Sequence, residues 1–358
     1  MSLAHFAFEP VPAVADPEPH PFASIDDPLG PLAALPGTWT GTGFNTIWRP
    51  HFPSSRQDRF LELNLTSETL VFEEIPGAIP NRGLDMKDIE MFGVHYMQKI
   101  DDSTLSAGIH LEPGIWATVP RTTAPKEPPT VVRMASIPHG TAIVAQGRAS
   151  TISGPPVIKP TDIIPFSPGD PSTKGSFADA VQSFPELNLS KKTKFRQPSD
   201  ASTQPDITPA MVKNPNLVLT KAIHGQDIVR TTVLHVDATS AKPHSIGTAN
   251  TFFLTENASA NHVIATFWIE KVANPHTNGH FLQLQYSQVV MLDFNGLRWP
   301  TSRWRHCASR VVRRYRHATT CRRSPARRPA PRPSSADRAP HQTRTVCAGA
   351  LDALTLSM

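Results

Sequence analysis

The chain has 358 residues, and 35 Lys and Arg against 30 Asp and Glu give it a formal net charge of +5. That surplus belongs to one region, because residues 1–300 carry 22 basic and 28 acidic side chains, whereas residues 301–358 carry 13 Arg, no Lys and 2 Asp. The acidic first region is not expected to bind nucleic acid. No membrane is expected as a partner either, since no stretch approaches the ~18 apolar residues of a membrane helix.

The cysteines and the N-terminus bear on the compartment. Cys307, Cys321 and Cys347 all lie in the last region, so residues 1–300 can form no disulfide, which fits a reducing compartment. Residues 1–28 are rich in Pro and acidic side chains, and they lack both the basic start and the apolar core of a signal peptide. We therefore expect a flexible arm over residues 1–28 and a cytoplasmic protein.

After a short helix or turn over Leu29–Leu35, apolar residues recur with a period of two, which is typical of β-strands. The alternation is clearest near its end, where Leu282, Leu284 and Tyr286 fall on one face. The pattern predicts strands at Thr38–Trp48, Phe60–Thr66, Leu70–Glu74, Ile89–Ile100, Thr104–Glu112, Thr130–Ile137, Thr141–Ala149, Leu217–Ile223, Asp227–Asp237, Gly247–Thr255, His262–Val272 and Gly279–Phe294.

The pattern lapses from about residue 154 to 215, where Pro, Ser, Asp and Lys are dense. We expect a long irregular insertion there, with one short helix at Ser176–Phe184. Roughly ten strands joined mainly by short turns predict an all-β fold, because an antiparallel barrel closes its own edges. The predicted barrel domain covers residues 29–300 and includes the insertion.

Residues 301–358 have no Phe, no Lys and no period, and we expect a disordered Arg-rich tail there. The run from Thr301 to Cys307 is also what a coding frame gives when it is read one base late. The codons CAC GTC TCG GTG GCG ACA TTG followed by C encode the alternating peptide His-Val-Ser-Val-Ala-Thr-Leu. Read from the second base they encode Thr-Ser-Arg-Trp-Arg-His-Cys, as in this chain. The hypothesis is a frameshift after Pro300 that replaced the closing strand.

Two short runs at the ends of the barrel resemble a known family. Pro31–Gly43 reads PLAALPGTWTGTG, and its glycines let a first strand coil sharply. This run resembles the opening of the nitrobindin-like, fatty-acid-binding-protein-like haem β-barrels of the calycin type. Leu297–Pro300 resembles the approach to that family's last strand. The resemblance implies a calycin-like, lipid-binding-like barrel, and it does not extend to the insertion.

The resemblance implies that the barrel binds haem b through a proximal His on the last strand. The corresponding position here is Thr301. If the chain is made as written, the implied axial ligand is missing and haem affinity should be weak or absent. His306 is the nearest replacement.

Four residues are candidates for contact with a ligand inside the barrel. Trp39 could plug one end of the barrel with its indole, and Tyr286 lies on the apolar face of the last predicted strand. His95 and His110 lie on predicted strands and could point inward. Each of these two histidines has the alternative of an ordinary, hydrogen-bonded strand residue.

Other histidines give no firm metal site. His276 and His280 are four residues apart, but a predicted hairpin turn separates them, so no helix face brings them together. His235 and His262 lie on predicted strands and have the same ordinary alternative as the candidates above.

Three functions are considered from the sequence, of which the third, nucleic-acid binding by the Arg-rich tail, is undercut by the frameshift hypothesis. The first is a binding module for a small apolar ligand, with haem as the leading candidate. The second is an enzyme in the same cavity, either a haem-dependent peroxidase or isomerase or a cofactor-free lyase or cyclase, with His95, His110 and Glu112 as candidate acids or bases. Residues 1–300 contain neither a Gly-x-Ser-x-Gly elbow nor a Cys nucleophile. A homodimer is left open.

Overall fold

Fifteen β-strands make up most of the computed structural model, which describes residues 27–52, 58–238, 247–255 and 257–309. The strands are β1 (Gly37–Pro50), β2 (Arg59–Glu74), β3 (Ile79–Asn81), β4 (Ile89–Asp102), β5 (Ala107–Val119), β6 (Thr122–Thr123), β7 (Lys126–Glu127), β8 (Thr130–Ile137), β9 (Thr141–Ser153), β10 (Arg196–Gln197), β11 (Ile228–Asp237), β12 (Gly247–Asn250), β13 (Ser259–Ala273), β14 (His280–Phe294) and β15 (Leu297–Ser309). The α-helices are α1 (Phe177–Ser183), α2 (Pro209–Lys213), α3 (Leu217–Ala222) and α4 (Phe252–Thr255). All four are short, and none in the described part of the chain could span a membrane.

Ten of these strands close into one antiparallel barrel. β1 pairs with β2 on one side and with β15 on the other, and the path returns from β15 through β14, β13, β11, β9, β8, β5 and β4. The pairing of β4 with β2 completes the ring. This confirms the predicted all-β, roughly ten-stranded barrel. Closure makes most ladder hydrogen bonds within the ring. Further pairing is supplied by β10 on β2, β3 on β4 and β12 on β9.

The barrel interior is filled mainly by alternate side chains of the ten strands. On β2, Leu70 and Phe72 point inward while Leu61 and Leu63 point outward, as a period of two requires. The inward residues join one buried apolar cluster with Trp39, at the start of β1. This cluster occupies the end of the barrel at which β1 begins.

The segment before β1 covers part of that barrel end. A 3₁₀ turn at Gly30–Leu32 puts Leu29, Leu32 and Leu35 into the interior cluster. The indole Nε1 of Trp39 donates to the carbonyl oxygen of Leu35 at 2.8 Å. The predicted short helix or turn therefore acts as a plug, held by three leucines and one tryptophan.

The insertion between β9 and β11 packs on the outer wall of the barrel. Trp48 and Trp299 lie in a second buried cluster with apolar residues of the insertion, and the Trp48 indole donates to the carbonyl of Ile163 at 2.9 Å. Inside the insertion, the buried guanidinium of Arg196 donates to five carbonyl oxygens, including those of Glu186 and Pro198. The irregular backbone is thus fixed by side-chain hydrogen bonds rather than by a ladder. α1 confirms the helix predicted within it.

Four predicted strands need correction. Leu217–Ile223 is wrong as a strand, because the chain forms helix α3 there and buries Leu219 and Ile223, which are four residues apart as on one helix face. Gly247–Thr255 is divided between β12 and α4. Phe60–Thr66 and Leu70–Glu74 belong to one continuous strand, β2.

The last strand extends past the boundary expected at Pro300. β15 continues to Ser309, and residues 302–308 pair in register with both β1 and β14. The backbone N–H and C=O groups of β1 and β14 need hydrogen-bond partners on this side, which explains why the chain after Pro300 takes the conformation of a β-strand. The rest of the predicted tail, like most of the predicted N-terminal arm, lies outside the described residues.

A buried carboxyl lies on the outer wall near the insertion. Oε2 of Glu270 accepts a hydrogen bond from Nε2 of Gln283 at 2.6 Å, and that nitrogen also reaches Oε1 of Gln226 at 2.6 Å. Within the described chain, Oε1 of Glu270 has no hydrogen-bond partner. Burial raises the pKa of Glu270 to about 8, and the Gln283 hydrogen bond offsets only part of that effect.

This carboxyl predicts that the free energy of unfolding falls as pH rises from about 4.5 to about 8. In that window the folded protein keeps a proton that the unfolded chain has released, so raising the pH favours unfolding. We expect Glu270→Gln to remove the fall and to be more stable than the wild type above pH 8, on the order of a few kcal/mol. Urea titrations at pH 5, 7 and 8.5 measure the free energy of unfolding, and the exposed Glu127→Gln is the control. If the free energy of unfolding depends on pH in the same way for the wild type and Glu270→Gln, the prediction is contradicted.

Candidate functional site

A cavity of about 660 Å³ lies beside the plug at the end of the barrel where β1 begins. We call it the mouth cavity. Pro28, Pro31 and Ala34 of the plug segment form one wall. The ends of β5 and β9 and the starts of β8 and β11 form the other, where Val131 and Ala149 lie. Both walls belong to packed parts of the barrel, so the cavity is preformed by the fold.

The chemistry of the mouth cavity is mixed. Proline, alanine and valine dominate its lining, and Phe92 is its one aromatic residue. Charged side chains come from Glu90 and Arg230. Five residues supply hydroxyls: Thr118, Thr130, Ser150, Thr151 and Thr232. The described lining contains no His, Cys, Met or Tyr. This surface suits an apolar body with a few hydrogen-bonding groups, and it offers no usual metal ligand except Glu90.

A layer of buried aromatic side chains, here called the aromatic floor, lies deeper in the barrel than the mouth cavity and is not part of its lining. Trp116 lies two residues further into the barrel than Thr118, and its ring meets that of Phe267 edge to face at 5.2 Å between centroids. Phe267 in turn stacks on Tyr286 at 4.8 Å. These rings are buried and pack on one another, so they form a closed apolar layer between the mouth and the deeper interior.

A charged network lies beneath that layer. Arg133 is buried, and its guanidinium donates to Oε1 of Glu112 at 2.5 Å, to the Tyr96 hydroxyl at 2.9 Å and to Oε1 of Gln288 at 2.6 Å. Tyr96 also donates to Oε1 of Glu112 at 2.5 Å. The other carboxylate oxygen of Glu112 meets Nε2 of His110 at 3.1 Å. β4, β5, β8 and β14 are therefore tied together across the barrel interior.

Electrostatics keeps this network charged. Burial opposes ionisation of Glu112, but the Arg133 guanidinium and the His110 hydrogen bond outweigh it and hold the pKa of Glu112 far below its usual value. The pKa of Arg133 is raised for the reciprocal reason, although burial alone would lower it. Burial raises the pKa of Tyr96 well above that of a free tyrosine. A carboxylate held this firmly ionised is poorly placed to act as a general acid or base near neutral pH.

A second set of hydrogen-bonded polar side chains lies next to the Arg133 network. Nε2 of Gln98 donates to Oε1 of Glu68 at 2.5 Å and to the Tyr286 hydroxyl at 2.9 Å. The Tyr286 hydroxyl also lies 3.0 Å from Oε2 of Glu68. Tyr286 therefore presents its ring to the aromatic floor and its hydroxyl to the polar layer.

The structure brings three of the four predicted ligand-contacting residues into the barrel interior. Trp39, His110 and Tyr286 are all buried there. His95 lies on the outer wall with about half of its side chain exposed, and it meets Glu73 at 3.1 Å. Its strand position explains the outcome, because His95 has the parity opposite to that of the inward-facing Tyr96. Among these four residues, none lines the mouth cavity.

The four histidines weighed above as other metal candidates lie on outer strand positions or in a turn. His262 meets Asp237 at 2.8 Å, and His235 bonds to Thr266 at 2.9 Å. His276 lies in the turn after β13, and His280 begins β14. Within the described ranges, no group of three His, Cys, Asp or Glu could hold a metal ion.

The residues present do not fit a histidine-ligated haem at the position that the resemblance implies. Thr301 is buried, and its hydroxyl lies 3.3 Å from the backbone nitrogen of Trp48. A threonine hydroxyl is not among the usual axial ligands of haem iron. The register pairs Trp39 with Ser309, so Thr301 lies eight residues along β15 from the mouth, roughly 26 Å at strand geometry.

Sequence reasoning missed the centre of the polar layer. Arg133, Gln98 and Gln288 are each at most 2 % exposed, yet polar residues on a strand usually indicate the solvent face. A signal was available on β5. Its apolar residues Ile109, Leu111 and Ile115 share one face, whereas His110 and Glu112 share the other with Trp116. Either orientation of the strand therefore exposes a tryptophan or buries two polar groups.

Comparisons with known proteins add little about the ligand. No family model matches the chain. No curated protein matches it. Ten chains of solved structures match, among them the crystal structure of Rv2717c from M. tuberculosis, with 11 % identity over 78 % of this chain and 96 % of that chain and a TM-score of 0.33.

We predict that Glu112→Gln destabilises the protein by about 3–5 kcal/mol, because it leaves the Arg133 charge buried without a counter-charge. The control is Glu127→Gln, at an exposed site, which we expect to change stability by less than about 0.5 kcal/mol. Chemical unfolding at pH 7 measures both. A loss below about 1 kcal/mol for Glu112→Gln would show that the network does not hold the barrel interior together.

Proposed function

We propose that this protein binds a small, mainly apolar ligand in the mouth cavity. The observation that carries the proposal is the cavity itself, a preformed space of about 660 Å³ at an open end of a closed barrel. Small-molecule sites in proteins commonly measure roughly 300–1,000 Å³, and most of their lining is apolar.

The layers of the barrel limit where the ligand lies and what it is. The aromatic floor and the ionised Glu112–Arg133 pair beneath it leave the deeper barrel closed, so the ligand stays at the mouth. The hydroxyls of Thr118, Ser150 and Thr232 supply a few hydrogen bonds to an otherwise apolar body. Such a ligand gains affinity from desolvation and orientation from the hydroxyls. Nothing in this arrangement requires bond-making chemistry.

The proposal predicts that Ala149→Phe weakens binding of the neutral fluorescent probe N-phenyl-1-naphthylamine at least tenfold. Ala149 lines the mouth cavity, and a phenyl ring there occupies the space that the probe needs. Ala142→Phe is the matched control, since Ala142 lies on the same strand but is exposed. Fluorescence titration measures binding, and thermal melts check folding. Equal affinities for the two folded variants would remove the mouth cavity as the site.

Haem b remains the ligand that the resemblance implies. The strands on either side of β15 support the hypothesis that the native strand has a different sequence after Pro300. Asn45 and Thr46 on β1, and Gln285 and Gln288 on β14, face positions 302–306 in register. Each has a buried side-chain polar atom without a hydrogen-bond partner among the described residues. Folded proteins pair roughly 90 % of such atoms or more. In the hypothetical frame, a Ser at position 303 would face Asn45 and Gln288 and a Thr at position 306 would face Gln285, whereas Ser302, which faces Thr46, would become Val.

We therefore predict that haemin added to the chain as written gives no sharp, histidine-ligated Soret band. Replacing residues 301–307 by His-Val-Ser-Val-Ala-Thr-Leu, which includes Thr301→His, should produce that band. The same replacement with Thr301→Ala should not, because only the first variant supplies an imidazole. Absorption spectra measure this, and sequencing the gene around codon 300 tests the frameshift directly. A Soret band for the chain as written, unchanged by the replacement, contradicts the assignment of the ligand to position 301.

A further inference from the structure

The wall formed by β4, β5, β8 and β9 turns an apolar face outward. On β5 the usual order is inverted, because His110 and Glu112 point into the barrel while Leu111, Pro113 and Ile115 point out. Outward apolar residues on one strand of a solvated wall are uncommon, since such strands normally present polar side chains to water. The inversion needs an explanation outside the barrel.

The outward residues form one continuous patch. In register, Ile115 of β5 faces Met134 of β8, and Met134 faces Val144 of β9. On the other side, Pro113 faces Met97 of β4. Leu111 is 40 % exposed and Val144 is 44 % exposed, while the residues between them are only partly exposed because they shield one another. We call this patch the β5 face.

Within the described residues, nothing covers the β5 face. The outer apolar residues of β1, β2 and β13 are buried under the insertion, as Trp48, Leu61 and Trp268 show. The members of the β5 face belong to neither buried cluster of the protein. The insertion therefore covers the outer wall around β1, β2 and β13, whereas no residue that the structure describes covers the β5 face.

We propose that the β5 face is a homodimer interface, in which the face of one copy packs on the same face of a second copy. Three strand spacings and a run of six residues give it a projected area of about 300 Å². A standard interface buries about 800 Å² per partner, with an apolar core inside a polar rim. The face has the dimensions of such a core, and a two-fold axis lets a single patch serve both partners.

The rim of the face suits a second copy better than a strongly charged partner. Lys99 and Asp101 on β4 and Arg148 on β9 are exposed and carry both signs within a short distance of the apolar residues. Two copies of a mixed rim do not repel each other, whereas a partner of one sign would meet like charges on part of the rim.

Sedimentation equilibrium of the full chain between 1 and 100 µM tests the proposal. The wild type should be dimeric, and Met134→Glu should weaken dimerisation at least 100-fold, because two carboxylates would be brought into the dry core. Leu84→Glu is the matched control, since Leu84 is 95 % exposed and lies outside the β5 face. It should dimerise like the wild type.

Leu111→Lys, at the more exposed side of the face, provides a second variant if Met134→Glu lowers the melting temperature. A wild type that is monomeric at 100 µM overturns the proposal, as does a dimer that both substitutions leave unchanged. A full chain that is monomeric but dimerises after deletion of residues 1–26 also overturns it, because the chain's own arm would then be the occupant. None of these outcomes depends on the mouth cavity, so the ligand proposal stands or falls separately.

Discussion

Closure of the barrel is the constraint on which the other features depend. Since β2 pairs with both β1 and β4, and β1 pairs with β15, every residue of the ten strands faces either the interior or the outer wall. A one-residue slip in any strand would exchange the two sets. The interior then has to accept whatever the inward positions carry, including His110, Glu112 and Arg133. The ion pair and its hydrogen bonds satisfy those groups and cross-link the strands that carry them.

The interior layers explain why the proposed ligand site is shallow. An apolar layer with Trp116 and Phe267 separates the mouth cavity from the charged layer. Entry of an apolar molecule into the charged layer would break hydrogen bonds to groups that are already desolvated, which is costly. A ligand at the mouth meets mainly apolar surface and hydroxyls, with Glu90 and Arg230 as the charged residues of the lining. The stability of the barrel and the location of its cavity thus have the same origin.

The sequence predicted the barrel well because period-two alternation and turn residues are local signals. The short helix α3 was missed because Leu217 and Leu219 imitate alternation, while the contact that decides the matter is with the outer wall of β14, where Gln285 bonds to the carbonyl of Leu219. The mouth cavity was beyond prediction, since it is shaped by strand ends far apart in sequence. The polar layer was missed because a lone Arg133 between apolar residues reads as a solvent position until its partner Glu112 is known.

β5 links the interior to the exterior. Its inward polar residues anchor the network with Arg133, which fixes the register of the strand, and a fixed register forces the alternate residues outward. Leu111 and Ile115 therefore cannot turn inward to escape water without withdrawing Glu112 from Arg133. The apolar outer face is then held in place by the energetics of the interior, and burying it requires a surface from outside the barrel. The insertion provides such a surface for the opposite wall, where it buries the apolar residues around Trp48.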